Sequence, residues 1–365
     1  MTAEYDIWFC DPRGYRLANV RDWLSADFAL VANNACGWQI ELPNDAYREF
    51  VGVDNVAEFW RDGRLIVAGF MRTFRVSTDD SGKKTRVVGG YDGSYLLTSR
   101  IVNYYAGSTY SDKSGYADDI MKAIVRENLG ASSTDTSRDL SSYNFIVSGD
   151  ISNGASISRA FAYDNVMSAL QSIAESSRQA GTDLYFSVDP VPTDGGNIGW
   201  RFITKIGQLG QDRRIGYTDN AVVFSDQNGR ISEPDYQIDY AAEATYAVGG
   251  GAGIGIDRDI QTATGTRIGR SPWSRREIFV DARMEQDSAS VANKADAGLN
   301  ASRPFASFRC VIADTPVSRY GIDWGFGDRI TVEYDGQAFD AIIKQVRISI
   351  TPQGEAIVGT VELEG

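Results

Sequence analysis

The sequence predicts an α+β fold that is mostly β, in which two small β-barrel-like tube domains flank an α+β domain. Strands are indicated because apolar and polar residues alternate with a period of two in many short runs. Turns are indicated by two Asp-Gly pairs between such runs and by 37 glycines against 9 prolines. Because 365 residues exceed what one hydrophobic core usually supports, several domains are expected.

The stretch from Asp328 to Ile350 shows the strand pattern most plainly. Apolar and polar residues alternate over residues 330–334, an Asp-Gly pair follows at 335–336, and a second alternating run ends at Ile350. Asp and Gly tolerate the positive φ of a tight primed turn, so this stretch predicts a β-hairpin. Residues 56–76 show a comparable pattern, in which two strand-like runs flank a second Asp-Gly pair at 62–63.

Residues 1–90 form the first predicted β-barrel domain. Its short apolar runs are separated by turn residues, as in a small barrel or sandwich. The polar segment Thr78–Lys84 is predicted to be a hairpin tip, which lets Phe74 and Val76 pair with the valines at 87–88.

Residues 91–235 form the predicted α+β domain. Apolar residues at helical spacing predict one helix within Tyr116–Gly130, which Gly130 ends. A second helix is predicted to be capped by Asp164 and to end at Gly181. The helices are expected to pack on one face of a small sheet.

Two strands, Leu184–Val188 and Trp200–Ile206, complete the predicted sheet of this domain. The segment Ala131–Ser142 contains almost nothing apolar, so it is predicted to be an exposed loop or a flexible excursion. A partner that orders this loop is the alternative interpretation.

Residues 236–365 form the second predicted β-barrel domain, which includes a short helix. A strand is predicted within Arg275–Arg283, the helix over Ser288–Asn300, and further strands over 303–312 and 356–363. Closure into a barrel is expected because it leaves no unpaired strand edges.

The charge balance narrows the possible partners. Lys and Arg number 36 and Asp and Glu 49, so the net charge is −13. Such a chain repels phosphate backbones, and stable nucleic-acid binding is disfavoured. Two interpretations stay open: acidity that keeps the protein soluble, or an acidic passage through which DNA slides without sticking. No apolar run is long enough to span a bilayer and no signal peptide precedes Tyr5, so folding in a cytoplasm is expected.

The residue types present leave little room for catalysis. The sequence has no histidine, which removes Ser-His and Cys-His nucleophile pairs and HExxH zinc sites. Cys10, Cys36 and Cys310 are odd in number and widely spaced among apolar residues, so they are predicted to be buried thiols. No catalytic residue, cofactor or metal site is predicted.

Two motifs resemble active-site features but have structural explanations. The glycine run at 249–255 fails the GxGxxG register because Ile256 occupies the third glycine position, and a glycine-rich strand passing close to another backbone explains it. Asp118 and Asp119 form a carboxylate pair, which a glycosidase needs. They lie in the first turn of a predicted helix, where acids are stabilised by the helix dipole.

An aromatic and basic cluster comprises Trp273, Arg275, Arg276 and Phe279. One interpretation is an anion or sugar site built on stacking and guanidinium contacts. The other is a strand with one face in a subunit or domain contact, because Ile278 and Val280 point away from Phe279. Ser81 and Lys83 lie on a predicted hairpin tip with no oxyanion scaffold, so they do not indicate catalysis.

Several of these segments resemble the siphophage tail baseplate hub family, the N-terminal structural modules of tail-associated lysin proteins, which are related in fold to the central hub of contractile tails. The segments are Trp60–Met71 (WRDGRLIVAGFM), Tyr246–Arg258 (YAVGGGAGIGIDR), Arg275–Arg283 (RREIFVDAR) and Trp324–Ile350 (WGFGDRITVEYDGQAFDAIIKQVRISI). Family members often carry an acidic residue in the glycine run, where this chain has Ala252 and Ile254. Many members continue into a peptidase or fibre-binding extension, whereas this sequence stops at Gly365, so the resemblance implies the hub alone.

The resemblance implies a structural virion protein and not an enzyme. Members assemble as trimers in which each subunit contributes two similar barrels, so a homotrimer adapts the six-fold tail to a three-fold tip around the DNA channel. The hairpins at 62–63 and 335–336 are the candidates for this internal duplication. Implied partners are the distal tail ring protein, the tape measure protein, tail fibre or tip proteins, and DNA in transit without specific binding. The implied location is the distal tail tip of the virion, after assembly in the host cytoplasm.

Two other functions stay open. A receptor- or polysaccharide-binding tail-tip protein would use Trp273, Tyr104 and Tyr105 as sugar platforms. A cell-wall hydrolase is the third possibility, and the missing histidine argues against its common zinc and cysteine forms.

Overall fold

The computed structural model of the protein describes residues 3–43, 46–103, 110–217, 221–283, 285 and 287–363. It divides into two compact units, a larger one of residues 1–232 and 310–364 and a smaller one of residues 233–309. The predicted class, α+β and mostly β, is confirmed. The closed barrels and the three-part division at residues 90 and 235 stay predictions.

Strands make up most of the regular structure. The first group is β1 (Tyr5–Cys10), β2 (Arg16–Asn19), β3 (Ser25–Val31), β4 (Gly37–Pro43), β5 (Val56–Arg61), β6 (Arg64–Thr78) and β7 (Lys84–Asp92). The next is β8 (Ser111–Tyr116), β9 (Phe145–Val147), β10 (Ser156–Phe161), β11 (Leu184–Pro192), β12 (Ile198–Ile206), β13 (Val223–Ser225) and β14 (Ile231–Asp239). The last is β15 (Tyr246–Gly250), β16 (Ile260–Thr264), β17 (Glu277–Asp281), β18 (Phe305–Ala313), β19 (Arg329–Tyr334), β20 (Gln337–Thr351) and β21 (Gly354–Leu363).

Helices are few. The α-helices of the described residues are α1 (Tyr95–Thr98), α2 (Ala117–Leu129), α3 (Val166–Gln179) and α4 (Ser288–Ala301). Short 3₁₀ turns occur at Arg48–Phe50, Thr136–Arg138, Ser141–Tyr143 and Gly255–Asp257.

One large sheet in the larger unit joins the two ends of the chain. Within that unit its order is β21-β20-β3-β4-β7-β6-β5-β1-β2, and β19 pairs with both β20 and β13. The junction is the antiparallel pair of β3 and β20, which runs from Ala26 opposite Ile350 to Val31 opposite Gln345. The amino-terminal and carboxy-terminal strands are therefore parts of one hydrogen-bonded surface.

Both predicted Asp-Gly hairpins are confirmed. In the β5–β6 hairpin the turn residues Asp62 and Gly63 have φ of 50° and 72°, and in the β19–β20 hairpin Asp335 and Gly336 have φ of 50° and 70°. Positive φ at both central residues is the geometry of a type I′ turn, whose twist matches that of the flanking strands. The two hairpins thus use the same turn.

The two predicted long helices of the α+β region are confirmed, with one correction. Gly130 ends α2 as predicted, and Gly181, at φ 85°, follows the end of α3. The predicted cap at Asp164 is wrong, because the adjacent Asn165 is the extended residue before α3 and its side chain accepts a hydrogen bond from the Ser168 amide at 3.4 Å. The Asp164 carboxylate instead accepts from the Ala162 amide at 3.0 Å.

Helices α2 and α3 share a buried core with the three-stranded sheet β9-β12-β11. The same core reaches the large sheet, where the rings of Phe70 and Trp200 lie 4.7 Å apart. Gly93 is required at this contact, because a Cβ there would lie 2.5 Å from both the Trp200 ring and the Val188 carbonyl oxygen. The α+β region is thereby fixed against the large sheet.

The smaller unit contains a three-stranded sheet, in the order β16-β15-β17, with α4 packed on one face. The predicted close backbone approach of the glycine run is confirmed here. A Cβ on Gly249 would lie 3.0 Å from the Val291 carbonyl oxygen and 3.1 Å from the Ala295 methyl group, so a larger residue would push helix and strand apart.

We expect Ile348→Ala to lower the free energy of unfolding by about 2–5 kcal/mol, because Ile348 is fully buried opposite Phe28 at the β3–β20 junction. Denaturant unfolding measures this change. Arg347→Ala, on the exposed face one residue earlier, is the control and is expected to cost about 1 kcal/mol or less. Equal losses in the two variants would contradict the importance of this junction.

Candidate interaction surfaces

The three thiols are free and buried, as predicted. The Cys10 thiol donates to Glu58 Oε1 at 3.0 Å, and the Cys36 sulfur accepts from the Val31 amide at 3.0 Å. Burial raises the pKa of Cys10 and Cys36 well above the usual thiol range and that of Cys310 to about 12. A protonated, enclosed thiol is a poor nucleophile, so these residues act as core groups.

The candidate acid pair is used structurally. The Asp118 carboxylate is buried and accepts from Lys122 Nζ at 2.7 Å, and the same ammonium donates to the Gly149 carbonyl at 2.9 Å. Asp119 accepts from the Ile151 amide at 3.1 Å and so holds the following loop against α2. Both residues lie in the first turn of α2, as predicted, and each carboxylate has its own partners within the fold.

A buried polar site that sequence reasoning missed surrounds Glu58. Its Oε2 accepts from Arg16 Nη2 at 2.9 Å and from Trp60 Nε1 at 2.7 Å. The Arg16 guanidinium also lies 4.5 Å from the Trp8 ring centroid and 5.0 Å from that of Trp60. Arg16 and Glu58 are 42 positions apart, so no local sequence pattern predicts that they pair. The buried Glu58 side chain therefore has an opposite charge and hydrogen-bond donors within the fold.

A second missed feature is a cavity of about 310 Å³ in the larger unit. Asp92 and Asp189 line it beside Cys36, Ser94 and Lys205. Asp92 Oδ1 accepts from the amides of Cys36 and Ser94, both at 3.1 Å. Burial raises the pKa of Asp92 to about 7 and also raises that of Asp189. Asp92 is thus partly protonated at neutral pH.

The aromatic and basic cluster lies in the smaller unit. Ile278 and Val280 pack toward its core while Phe279 is 57% exposed, as the alternation predicted. Arg275 is paired with Glu277 at 2.6 Å, and Arg276 donates to a backbone carbonyl. The Arg275 guanidinium is thus paired with a carboxylate, whereas Arg276 donates to a neutral carbonyl oxygen and keeps its positive charge at the surface.

The remaining candidates are loops. Ala131–Ser142 is mostly exposed, as predicted, and the structure adds two 3₁₀ turns to it. Ser81 and Lys83 lie on the predicted hairpin tip, where Asp79 accepts from both backbone amides at 2.9 Å. Tyr104 and Tyr105, two of the proposed sugar platforms, lie outside the described residues.

Neither a metal-binding cluster nor a membrane-spanning helix is found in the part of the chain that the structure describes. No group of three or more Cys, Asp or Glu side chains there is arranged to hold a metal ion. Within the same ranges, none of the helices combines the length and the apolar character that crossing a bilayer requires.

Over nearly its whole length the chain has the fold of solved phage tail proteins. It aligns with the prophage MuSo2 43 kDa tail protein from Shewanella oneidensis at 13% identity and a TM-score of 0.57, covering 98% of each chain. A tail protein from Neisseria meningitidis MC58 aligns at 14% identity and 0.55, covering 99% of this chain and 97% of that one. Prophage tail protein gp18 from Listeria monocytogenes EGD-e aligns at 11% identity and 0.51, with coverages of 97% and 94%. At these identities the likeness shows the fold.

The sequence itself shows the family. Residues 4–360 match the family described as Siphovirus ReqiPepy6 Gp37-like protein, and the chain belongs to that family. The resemblance to siphophage tail proteins noted in the sequence is thereby confirmed. A comparison with curated proteins found no match.

We expect Asp92→Asn to stabilise the protein more at pH 8 than at pH 5. The pKa of Asp92 is about 7 in the folded state and about 3.8 in the unfolded chain. Between these values the folded state keeps a proton that the unfolded chain releases. The contribution of Asp92 to the free energy of unfolding of the wild type is therefore lost as pH rises through 7. The loss between pH 5 and pH 8 is about 2 kcal/mol. Asparagine removes the charge and keeps the acceptor oxygen.

Urea unfolding of both proteins at the two pH values measures this difference. The gain of the variant over wild type is expected to grow with pH. A gain that is the same at pH 5 and pH 8 would show that Asp92 does not titrate in the folded protein.

Proposed function

We propose that this protein is a structural virion component, a baseplate hub at the distal tip of a siphophage tail. The observation that carries the proposal is the match of residues 4–360 to a siphovirus family, together with a fold shared over nearly all of the chain with phage tail proteins. An assembly protein needs surfaces and no reactive groups, which agrees with the enclosed thiols and the internally paired acids of this chain. We accordingly propose no enzymatic activity.

The proposed assembly is a homotrimer that adapts the six-fold tail to a three-fold tip. Each chain would contribute two tube-like parts, from residues 1–90 and 236–365, on either side of the α+β part at 91–235. The matching type I′ hairpins at 62–63 and 335–336 support two similar parts in one chain. Three such chains then present six quasi-equivalent parts, and heterologous contacts close into a ring when each part supplies the proper rotation.

The proposed surroundings of the hub follow from that position. The neighbours would be the distal tail ring protein, the tape measure protein and the tail fibre or tip proteins. DNA would pass through the ring without specific binding, because a chain with a net charge of −13 offers little attraction to phosphate. The protein would be assembled in the host cytoplasm and carried at the tail tip.

A second candidate function is receptor or polysaccharide binding at the tail tip. Its support is Trp273, which is 85% exposed and so offers an open ring face of the kind that sugars stack on. Binding on a glycan array that Trp273→Ala abolishes would favour this function over a purely structural hub.

We expect native mass spectrometry and sedimentation velocity of the purified chain to show three copies per particle. Cryo-electron microscopy of that particle is expected to show a central passage walled mainly by acidic and neutral side chains. A chain that stays monomeric at every concentration would contradict the hub. A passage walled mainly by Lys and Arg would contradict the electrostatic part of the proposal alone.

A further inference from the structure

Strand β6 is longer than the strand that covers its outer edge. β5 pairs with β6 only between Arg64 and Phe70, whereas β7 pairs with the other edge as far as Thr78. Among the described residues, no strand is paired with the outer edge of β6 from Thr73 to Thr78. A row of unpaired amide and carbonyl groups is a template on which another chain can add a strand.

The uncovered part of β6 also continues the core face of the sheet. Phe74 lies opposite Val88, and Val88 lies opposite Ile40, and both of those partners are fully buried. Phe74 itself is 40% exposed, and Val76, two residues on and therefore on the same face, is 54% exposed. The apolar face of the sheet therefore extends, at Phe74 and Val76, beyond the part that other described segments of the chain cover.

The charge of this ribbon is opposite to that of the rest of the protein. We define the ribbon as residues 72–86, which include five basic residues and two acidic ones, in a chain with 36 basic and 49 acidic residues. Asp79 is engaged inside the turn, whereas Arg75, Lys83 and Lys84 are exposed. A basic projection from an acidic protein is complementary to the remaining surface of another copy.

The sign of the charge also selects the kind of contact. Two ribbons brought together around a two-fold axis would place like charges against each other, which disfavours an isologous dimer. A contact between the ribbon of one copy and a different, acidic surface of the next is heterologous, and heterologous contacts generate a ring when the rotation from copy to copy closes.

We infer that the ribbon of residues 72–86 docks, through its free β6 edge and the side chains of Phe74 and Val76, onto an acidic surface of a second copy of this chain. This inference rests on the proposed trimer and identifies a surface that closes it. The partner edge or face completes the apolar layer that Phe74 and Val76 leave open, while Arg75 and Lys84 pair with its carboxylates.

The apolar part is tested with Phe74→Asp/Val76→Asp. The matched control is Val317→Asp/Ile322→Asp, which changes two apolar residues that are 66% and 57% exposed elsewhere on the larger unit. Sedimentation equilibrium of the full chain is expected to show self-association weakened by about tenfold or more in the ribbon variant and unchanged in the control. Circular dichroism melting confirms that both variants fold.

The charged part is tested with Arg75→Glu/Lys84→Glu. Its control, Arg13→Glu/Arg64→Glu, makes the same change in net charge at two exposed arginines outside the ribbon. Raised salt is expected to weaken association of the wild type more than that of the Arg75/Lys84 variant, because the screened attraction has already been removed from the variant.

The outcomes separate the two proposals. A wild-type trimer whose ribbon variants associate as well as their controls would overturn the docking inference and leave the proposed hub intact. A wild type that never self-associates would overturn both. Loss of the trimer in the ribbon variants alone would support the inference.

Discussion

The pairing of β3 with β20 is the constraint on which the large sheet depends. It joins segments that are more than 300 positions apart in sequence, and it places Phe28 and Ile348 opposite each other in the core. Without this ladder, the strands before residue 92 and those after residue 310 would be two separate sheets with an exposed edge each. Because closing so long a loop costs chain entropy, the pair is stable only with the buried side chains that accompany it.

Polar contacts reinforce the same connection between the chain ends. Arg61, in the first hairpin, donates to Glu355 of the last hairpin at 2.7 Å, and the Tyr5 hydroxyl donates to that same carboxylate. On the sheet surface, Arg347 pairs with Asp27 at 3.2 Å. These contacts are partly screened by solvent, so they set the register of the strands more than they add to their stability.

Local chemistry made much of the fold predictable. The Asp-Gly turns, Gly130 as the end of α2 and the exposed polar tip at 78–84 all depend on residues within a few positions of one another. The cap of α3 shows the limit, since Asp164 and Asn165 are both good capping residues and only the backbone geometry selects Asn165. The β3–β20 pair, the Glu58 site and the Asp92 cavity combine distant segments, so a single sequence holds no local signal for them. The free edge of β6 depends on where β5 stops, which alternation alone does not reveal, although the excess of basic residues at 72–86 was visible.

Strand β20 has fifteen residues and neighbours on both sides. Its first part pairs with β19 and its second with β3, while β21 follows it along the other edge with a bulge between Ile343 and Gln345. A force applied along β20 would therefore shear the hydrogen bonds on both of its edges at once. Those bonds would have to break together and not one after another. Strand β20 is therefore the element of the largest sheet that would transmit a pulling force to its neighbours on both sides.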